Sequence, residues 1–120
     1  MKIHQSAEDY LEAILMLTKD KGYARSVDIA AALSVTKPSV SVAMKKLREN
    51  GYLTMGEDNL ITLTPSGQAI AERIYHRHTV LVQTLLRLGV EEKTARQDAC
   101  KIEHDLSEET FEAICRHIEG

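Results

Sequence analysis

Cysteine is scarce in this 120-residue sequence: Cys100 and Cys115 are its only two. Two thiols cannot build the disulfide framework with which small secreted domains compensate for a thin core. Long apolar runs are missing as well, and no segment approaches the roughly 20 residues of a membrane span. The first twenty residues carry Glu8, Asp9, Glu12 and Lys19, charges that the apolar core of a secretory signal excludes. There is no internal repeat, no low-complexity linker, no obvious nucleophile–base pair and no sign of a large cofactor pocket. Positive charge is not in excess, since the formal net charge is −3. The expectation is a cytoplasmic chain that is not an enzyme, takes no small-molecule substrate and makes no membrane contact, the enzyme alternative being a di-metal carboxylate site for hydrolysis or oxidation.

Hydrophobic residues make up 43% of the chain, enough for one compact domain or for two small lobes that share helices. A chain this short buries a limited core, which dimerisation would extend. Charge is unevenly spread. Lys37, Lys45, Lys46 and Arg48 stand close together with Glu49 as the one nearby acid, whereas the stretch after residue 90 is acid-rich. A basic patch on an acidic chain suits DNA binding through one face.

Ser6 is placed to cap a helix with Glu8 and Asp9 in its first turn, where the helix dipole favours acids. Tyr10, Leu11, Ile14, Leu15 and Leu17 continue it as an apolar stripe, and Gly22 ends it. Ser26 starts a short helix over Val27 to Leu33. After a tight turn at Ser34 and Val35, Thr36 caps a third helix with Pro38 in its first turn. The inner stripe of that helix is Val40, Met44 (or Ala43) and Leu47, and Asn50-Gly51 closes it. Two short β-prone runs, from Tyr52 to Met55 and from Leu60 to Leu63, flank the polar turn Gly56 to Asn59 as a hairpin. Thr64-Pro65 opens a long helix to about Leu88, and Gly89 stops it. A further helix runs from about Glu91 to Asp105, and Ser107, followed by Glu108 and Glu109, caps a last one to Ile118. The expected fold is mainly α: a winged helix-turn-helix DNA-binding lobe over residues 1–72 and a helical second lobe over residues 73–120.

Helix, short helix, turn, helix and hairpin is the order of a winged helix-turn-helix, and its third helix suits the major groove. The face opposite the inner stripe shows Lys37, Ser39, Ser41, Val42, Lys45 and Lys46. Serines reach base edges or phosphates, and lysines neutralise phosphates. The plainer alternative is a solvated helix with ordinary surface lysines. The combination of elements is more specific than the charges.

Cys100, Glu103 and His104 are spaced i, i+3, i+4, which places them on one face of the predicted helix. A thiolate, a carboxylate and an imidazole on one face chelate a divalent transition metal. Asp9 and Glu12 stand i, i+3 among apolar positions, where an unpaired acid is costly. His78 shares a face with Ile74, Leu81 and Leu85 and therefore points inward. His76 is about 200° around the helix from it and cannot serve the same site from that face. Singly, each residue has an ordinary reading. His78 fits a satisfied core histidine, Asp9 a helix-start acid, Cys100 a small buried hydrophobe, and Glu103-His104 a solvated face. Cys115 keeps the buried-hydrophobe reading, and His4, His76 and His117 read as surface. The set is what favours a metal centre: six ligand-type residues on three helices, several at positions that look buried.

At these residues the chain resembles the diphtheria-toxin-repressor family of iron- and manganese-dependent repressors, in a short form like its manganese-responsive members. The similar segments are Ser6-Ala7-Glu8-Asp9-Tyr10-Leu11-Glu12, Lys21-Gly22-Tyr23-Ala24-Arg25, Asp28-Ile29-Ala30 through Ser39-Val40-Ser41, His76-Arg77-His78, and Ala99-Cys100-Lys101-Ile102-Glu103-His104. The resemblance implies a homodimer with metal sites between the DNA-binding lobe and the dimerisation helices. It implies Asp9, Glu12, His78, Cys100, Glu103 and His104 as ligands. Asp9 and Glu12 resemble the manganese branch and Cys100 the iron branch. The further ligands of an ancillary iron-branch site fall on Val82 and Arg96, so that site is expected to be absent. The C-terminal SH3-like domain of longer relatives is expected to be missing too.

The expected function is a metal-dependent transcriptional repressor that binds a double-stranded DNA operator, senses Fe(II) or Mn(II), and controls metal-uptake genes. Zn(II) or Co(II) should bind in vitro. The rival reading is a metal-independent winged-helix DNA-binding or interaction protein, with the polar set acting as structural ion pairs.

Overall fold

A computed structural model describes residues 5–119, and His4 lies outside the described residues. Within it the chain forms two compact units, Met1–Glu72 and Arg73–Gly120.

The first unit opens with α1 (Gln5–Lys21). Ser6 is already inside this helix, so it is not the cap that its hydroxyl suggested. Leu11, Ile14 and Leu15 form the buried stripe. Gly22 ends the helix at a φ of +87°, with its amide on the Thr18 carbonyl at 2.9 Å. The short helix α2 (Ser26–Leu33) has Arg25 in the N-cap position and no side-chain cap, so Ser26 lies one residue inside. Ser34 then takes a left-handed conformation that turns the chain. The next helix, α3 (Lys37–Glu49), is bent 115° from α2, within the range of a helix-turn-helix. Thr36 caps α3 as expected, accepting from the Ser39 amide, and Pro38 fills a first-turn position where its missing N–H costs nothing. Val40, Met44 and Leu47 are its buried stripe, while Ala43 is only half-buried.

Strands β1 (Leu53–Met55) and β2 (Ile61–Leu63) pair antiparallel with Leu53 opposite Leu63 and Met55 opposite Ile61. They are shorter than the sequence runs suggest. Leu53 and Ile61 are buried and Thr54 and Thr62 exposed, which is the period of a strand with one wet face. The Ile61 amide donates to the Ala24 carbonyl at 2.9 Å, tying the wing to the loop before α2.

Thr64 accepts from the Gly67 amide and starts α4 (Pro65–Arg87). The second unit holds the later turns of α4 together with α5 (Glu92–Ile102) and α6 (Glu108–Glu119). Ser107 caps α6 by accepting from the Thr110 amide at 3.1 Å. Leu81, Val82 and Ala99 form a small core, lined by Leu106 and Ile114. Leu81 is thus spent on the unit's own core. Leu88, at 74% exposure, is the most exposed large apolar side chain among the described residues. No single described helix is long and apolar enough to cross a membrane.

Candidate metal centre and nucleic-acid interface

The helix α5 stops at Ile102, short of the predicted Asp105. Glu103 is its C-cap, still with right-handed helical dihedrals (φ −60°, ψ −26°), and its amide bonds the Ala99 carbonyl. His104 and Asp105 belong to the following turn. Cys100 and Glu103 therefore keep the i, i+3 spacing of one helix face, while His104 lies in the turn beyond the C-cap. Cys100 is exposed, so the plainer reading of it as a small buried hydrophobe does not hold. A helix end presents side chains to solvent and to the turn beyond it, which a periodic pattern cannot show.

Across from this turn, α4 supplies His78. Its Nδ1 lies 3.1 Å from Oε2 of Glu103 and 3.8 Å from Sγ of Cys100. One donor atom from each of His78, Cys100 and Glu103 falls within 4.8 Å of the others. Atoms bound at about 2.0–2.3 Å to one ion have roughly this mutual spacing. The other Glu103 oxygen, Oε1, is 3.6 Å from Nε2 of His104. Each oxygen of Glu103 thus faces a different histidine.

Glu103 is completely buried, and its Oε1 accepts no hydrogen bond among the described residues. A buried carboxylate is expensive unless charge and hydrogen bonds compensate it. One compensating charge is His78, whose pKa is pushed up from 6.5 to about 10 by hydrogen bonding to Cys100, then to Glu103, against the opposing effect of burial. A divalent cation supplies the same charge more fully, and the mixed nitrogen, sulfur and oxygen donors suit a first-row transition metal. The residues therefore fit a metal.

Asp9 and Glu12 lie one turn apart on α1 in the first unit, and both are half-buried. Glu8, read from sequence as a first-turn acid, is buried at 6% exposure. His76 and His117 are exposed, the first with its ring edge-on to Phe111 at 5.5 Å. Val82 is in the core, and the Arg96 guanidinium pairs with Glu92 at 3.1 Å.

On α3, Lys37, Ser39, Ser41, Val42, Lys45 and Lys46 are all exposed, Val42 at 56%. Ser41, Lys45 and Arg48 edge a small cleft with Ser26, Met44 and Met55. Lysines with serines and one bare valine on an exposed helix make a surface of the kind that enters a groove.

Two family models match the chain. The N-terminal DNA-binding domain of iron-dependent repressors matches residues 2–59, and their metal-binding and dimerisation domain matches residues 64–120. The chain is 42% identical over 109 residues to the HTH-type transcriptional regulator MntR of Lysinibacillus sphaericus (strain C3-41), covering 91% of this chain and 78% of that protein. Identity to the regulator of the same name from Geobacillus kaustophilus (strain HTA426) is also 42% over 109 residues, covering 91% and 77%. The fold is similar to the crystal structure of T. acidophilum IdeR, with a TM-score of 0.84, 28% identity, and coverage of 100% of this chain and 56% of that one. It is similar to a manganese-dependent transcriptional repressor in complex with manganese, with a TM-score of 0.86, 26% identity, and coverage of 94% and 52%. The chain thus spans little more than half the length of those solved chains.

Proposed function

The chain belongs to the iron-dependent repressor family, and we propose that it is a metal-activated repressor that binds operator DNA as a cytoplasmic homodimer and controls metal-uptake genes. One observation carries the metal-sensing part of this reading. His78, Cys100 and Glu103 bring three different donor atoms together around a fully buried carboxylate. His104 adjoins the same carboxylate, while Asp9 and Glu12 join the ligand set by family resemblance. The ion, when bound, supplies positive charge to these anionic donors. In a dimer, two α3 helices meet successive major grooves when their centres lie about 34–36 Å apart. A metal that stiffens the protomer favours such a fixed spacing. The solved relative that holds manganese favours Mn(II), and the thiolate of Cys100 favours a later, softer ion such as Fe(II).

The test is metal-dependent operator binding, by gel shift on the promoter of a metal-transport gene from the same genome, for the parent and three cysteine variants. Cys100→Glu keeps an anionic ligand but makes it hard, so activation should move toward Mn(II) and away from softer ions. Cys100→Ala should lose most activation, and Cys115→Ala none. If Cys100→Ala answers every metal as the parent does, Cys100 is not a ligand. If the parent binds the operator equally well in excess chelator, the metal-independent reading is the right one.

For the DNA face, Lys45→Ala or Lys46→Ala is expected to weaken binding to all sequences and to lower the salt slope by roughly one unit per lost phosphate contact. Val42→Gln is expected to change sequence choice, because an apolar tip reads a thymine methyl and an amide does not. Binding curves at several salt concentrations, on operator and on scrambled DNA, separate the two effects. An unaltered preference in Val42→Gln places Val42 away from the bases.

A further inference from the structure

Arginine is rarely buried without a partner, yet Arg77, next to His78 on α4, is only 4% exposed. Its Nη1 donates to the main-chain carbonyl of Glu103 at 3.1 Å and to that of Leu106 at 2.8 Å. Its Nη2 donates to Oε1 of Glu108 at 2.8 Å. The guanidinium carbon also sits 5.1 Å from the centre of the Phe111 ring. The two carbonyls bracket the turn that carries Glu103 and His104. Carbonyls at and beyond the end of a helix have no amide to bond within it. A guanidinium presents its donors in a rigid plane, so one side chain fixes the spacing of both carbonyls. Glu108 holds the other arm of the fork, and the hydrogen bond from Arg77, helped by the guanidinium charge, keeps the Glu108 carboxyl below its ordinary range.

We propose that Arg77 is a positioning residue for metal binding: it pins the turn from Glu103 to Leu106 onto α4, so that the Glu103 carboxylate stays within reach of His78. Arg77 has no lone pair to offer a cation, and it acts through the main chain of the ligand-bearing turn. Glu108 and Phe111, both on α6, hold the guanidinium in place. The inference rests on the metal-centre reading of His78, Cys100 and Glu103.

The test uses the full chain and Co(II), whose absorption reports both thiolate ligation and coordination geometry. Three quantities are measured: Co(II) affinity, the Co(II) spectrum, and the melting temperature of the metal-free protein. Arg77→Lys keeps the charge and the long stem but loses the fork. It is expected to bind Co(II) roughly 10–100-fold more weakly, the range seen when an outer-shell partner is lost, and with an altered spectrum. Glu108 is more than half exposed, at 57%, so Glu108→Ala should keep the fold. It is expected to weaken binding in the same direction by a smaller factor, whereas Glu108→Gln, which keeps an acceptor, should restore the parent value. A side chain that only stabilised the fold would lower the melting temperature and leave the spectrum of the bound ion alone. Parent-like affinity and spectrum in Arg77→Lys and Glu108→Ala overturn the inference. If Arg77→Lys does not fold, Glu108→Ala decides by the same criterion. A parent chain that takes up no Co(II) removes the metal-centre reading itself, and the inference with it.

Discussion

Glu103→Gln is expected to weaken Mn(II) binding by more than roughly a hundredfold, beyond the loss typical of an outer-shell partner, with helical content unchanged. The carboxylate is wholly buried and has one oxygen toward His78 and the other toward His104. Glutamine matches its shape and keeps hydrogen-bonding capacity, so the turn need not move. What is lost is the negative charge and the better ligand. A second effect runs the other way. Glu103 is one of the groups that push the His78 pKa up to about 10, and a metal must displace that proton to use the ring nitrogen. Below pH 10 the parent's affinity should therefore rise with pH as the proton becomes easier to remove. Removing the carboxylate lowers the barrier at His78, but it removes an anionic donor from a buried site, and the donor's loss dominates. Calorimetric titration with Mn(II) in two buffers of different ionisation enthalpy measures affinity and proton release together. Both should fall in the variant. Unchanged affinity would reduce Glu103 and His78 to a structural ion pair.

Gly67→Ala is expected to destabilise the first unit by about 2–3 kcal/mol, the scale of overpacking a filled site. In an open helix the same change stabilises by about 1 kcal/mol. Here the glycine is buried in the first turn of α4, and an added Cβ would run into the main-chain carbonyl of Tyr52, with the Tyr52 carbonyl carbon at 2.9 Å. That carbonyl cannot step aside easily, because it accepts from the Thr64 amide at 3.1 Å. Thr64 and Ser66 also donate their hydroxyls to the Gly51 carbonyl, at 2.6 and 3.1 Å. The start of α4 is thus stitched to the residues that lead into the wing. For a unit of this size the expected loss corresponds to a fall in melting temperature of about 10 °C or more. Thermal unfolding followed by circular dichroism checks it. A melting temperature equal to or above the parent's would show that α4 backs away from Tyr52 without cost.

Much of this fold was legible because its signals are local. Thr36, Pro38 and the stripe Val40, Met44, Leu47 lie within one helix, and each acts over a turn or two. The hairpin is marked by the polar run Gly56 to Asn59 between two alternating strands. The cluster of His78, Cys100 and Glu103 was legible as a set of residue types, and less so as a geometry. Cys100 taken singly reads as a small buried hydrophobe, but it is exposed near the end of α5, and His104 lies in the turn beyond the C-cap Glu103. Where a helix ends depends on tertiary hydrogen bonds to its last carbonyls. Here Arg77, 26 and 29 positions earlier, bonds the carbonyl of the C-cap Glu103 and that of Leu106 beyond it. Nothing in the local sequence marks Arg77 as buried, since arginine is by default a surface residue. Glu8 was missed for the same reason: an acid near a helix start has a sufficient local explanation, and its burial comes from packing.

The fork of Arg77 also has a thermodynamic side. One guanidinium holds the carbonyls of the ligand turn, the carboxylate of Glu108 and the face of Phe111. If docking of α6 raises metal affinity by some factor, metal occupancy tightens the docking of α6 by that same factor, because coupling free energies are reciprocal. A partner surface that grips α6 is then an effector of the metal centre, and the concentration of free metal sets how often α6 lets go.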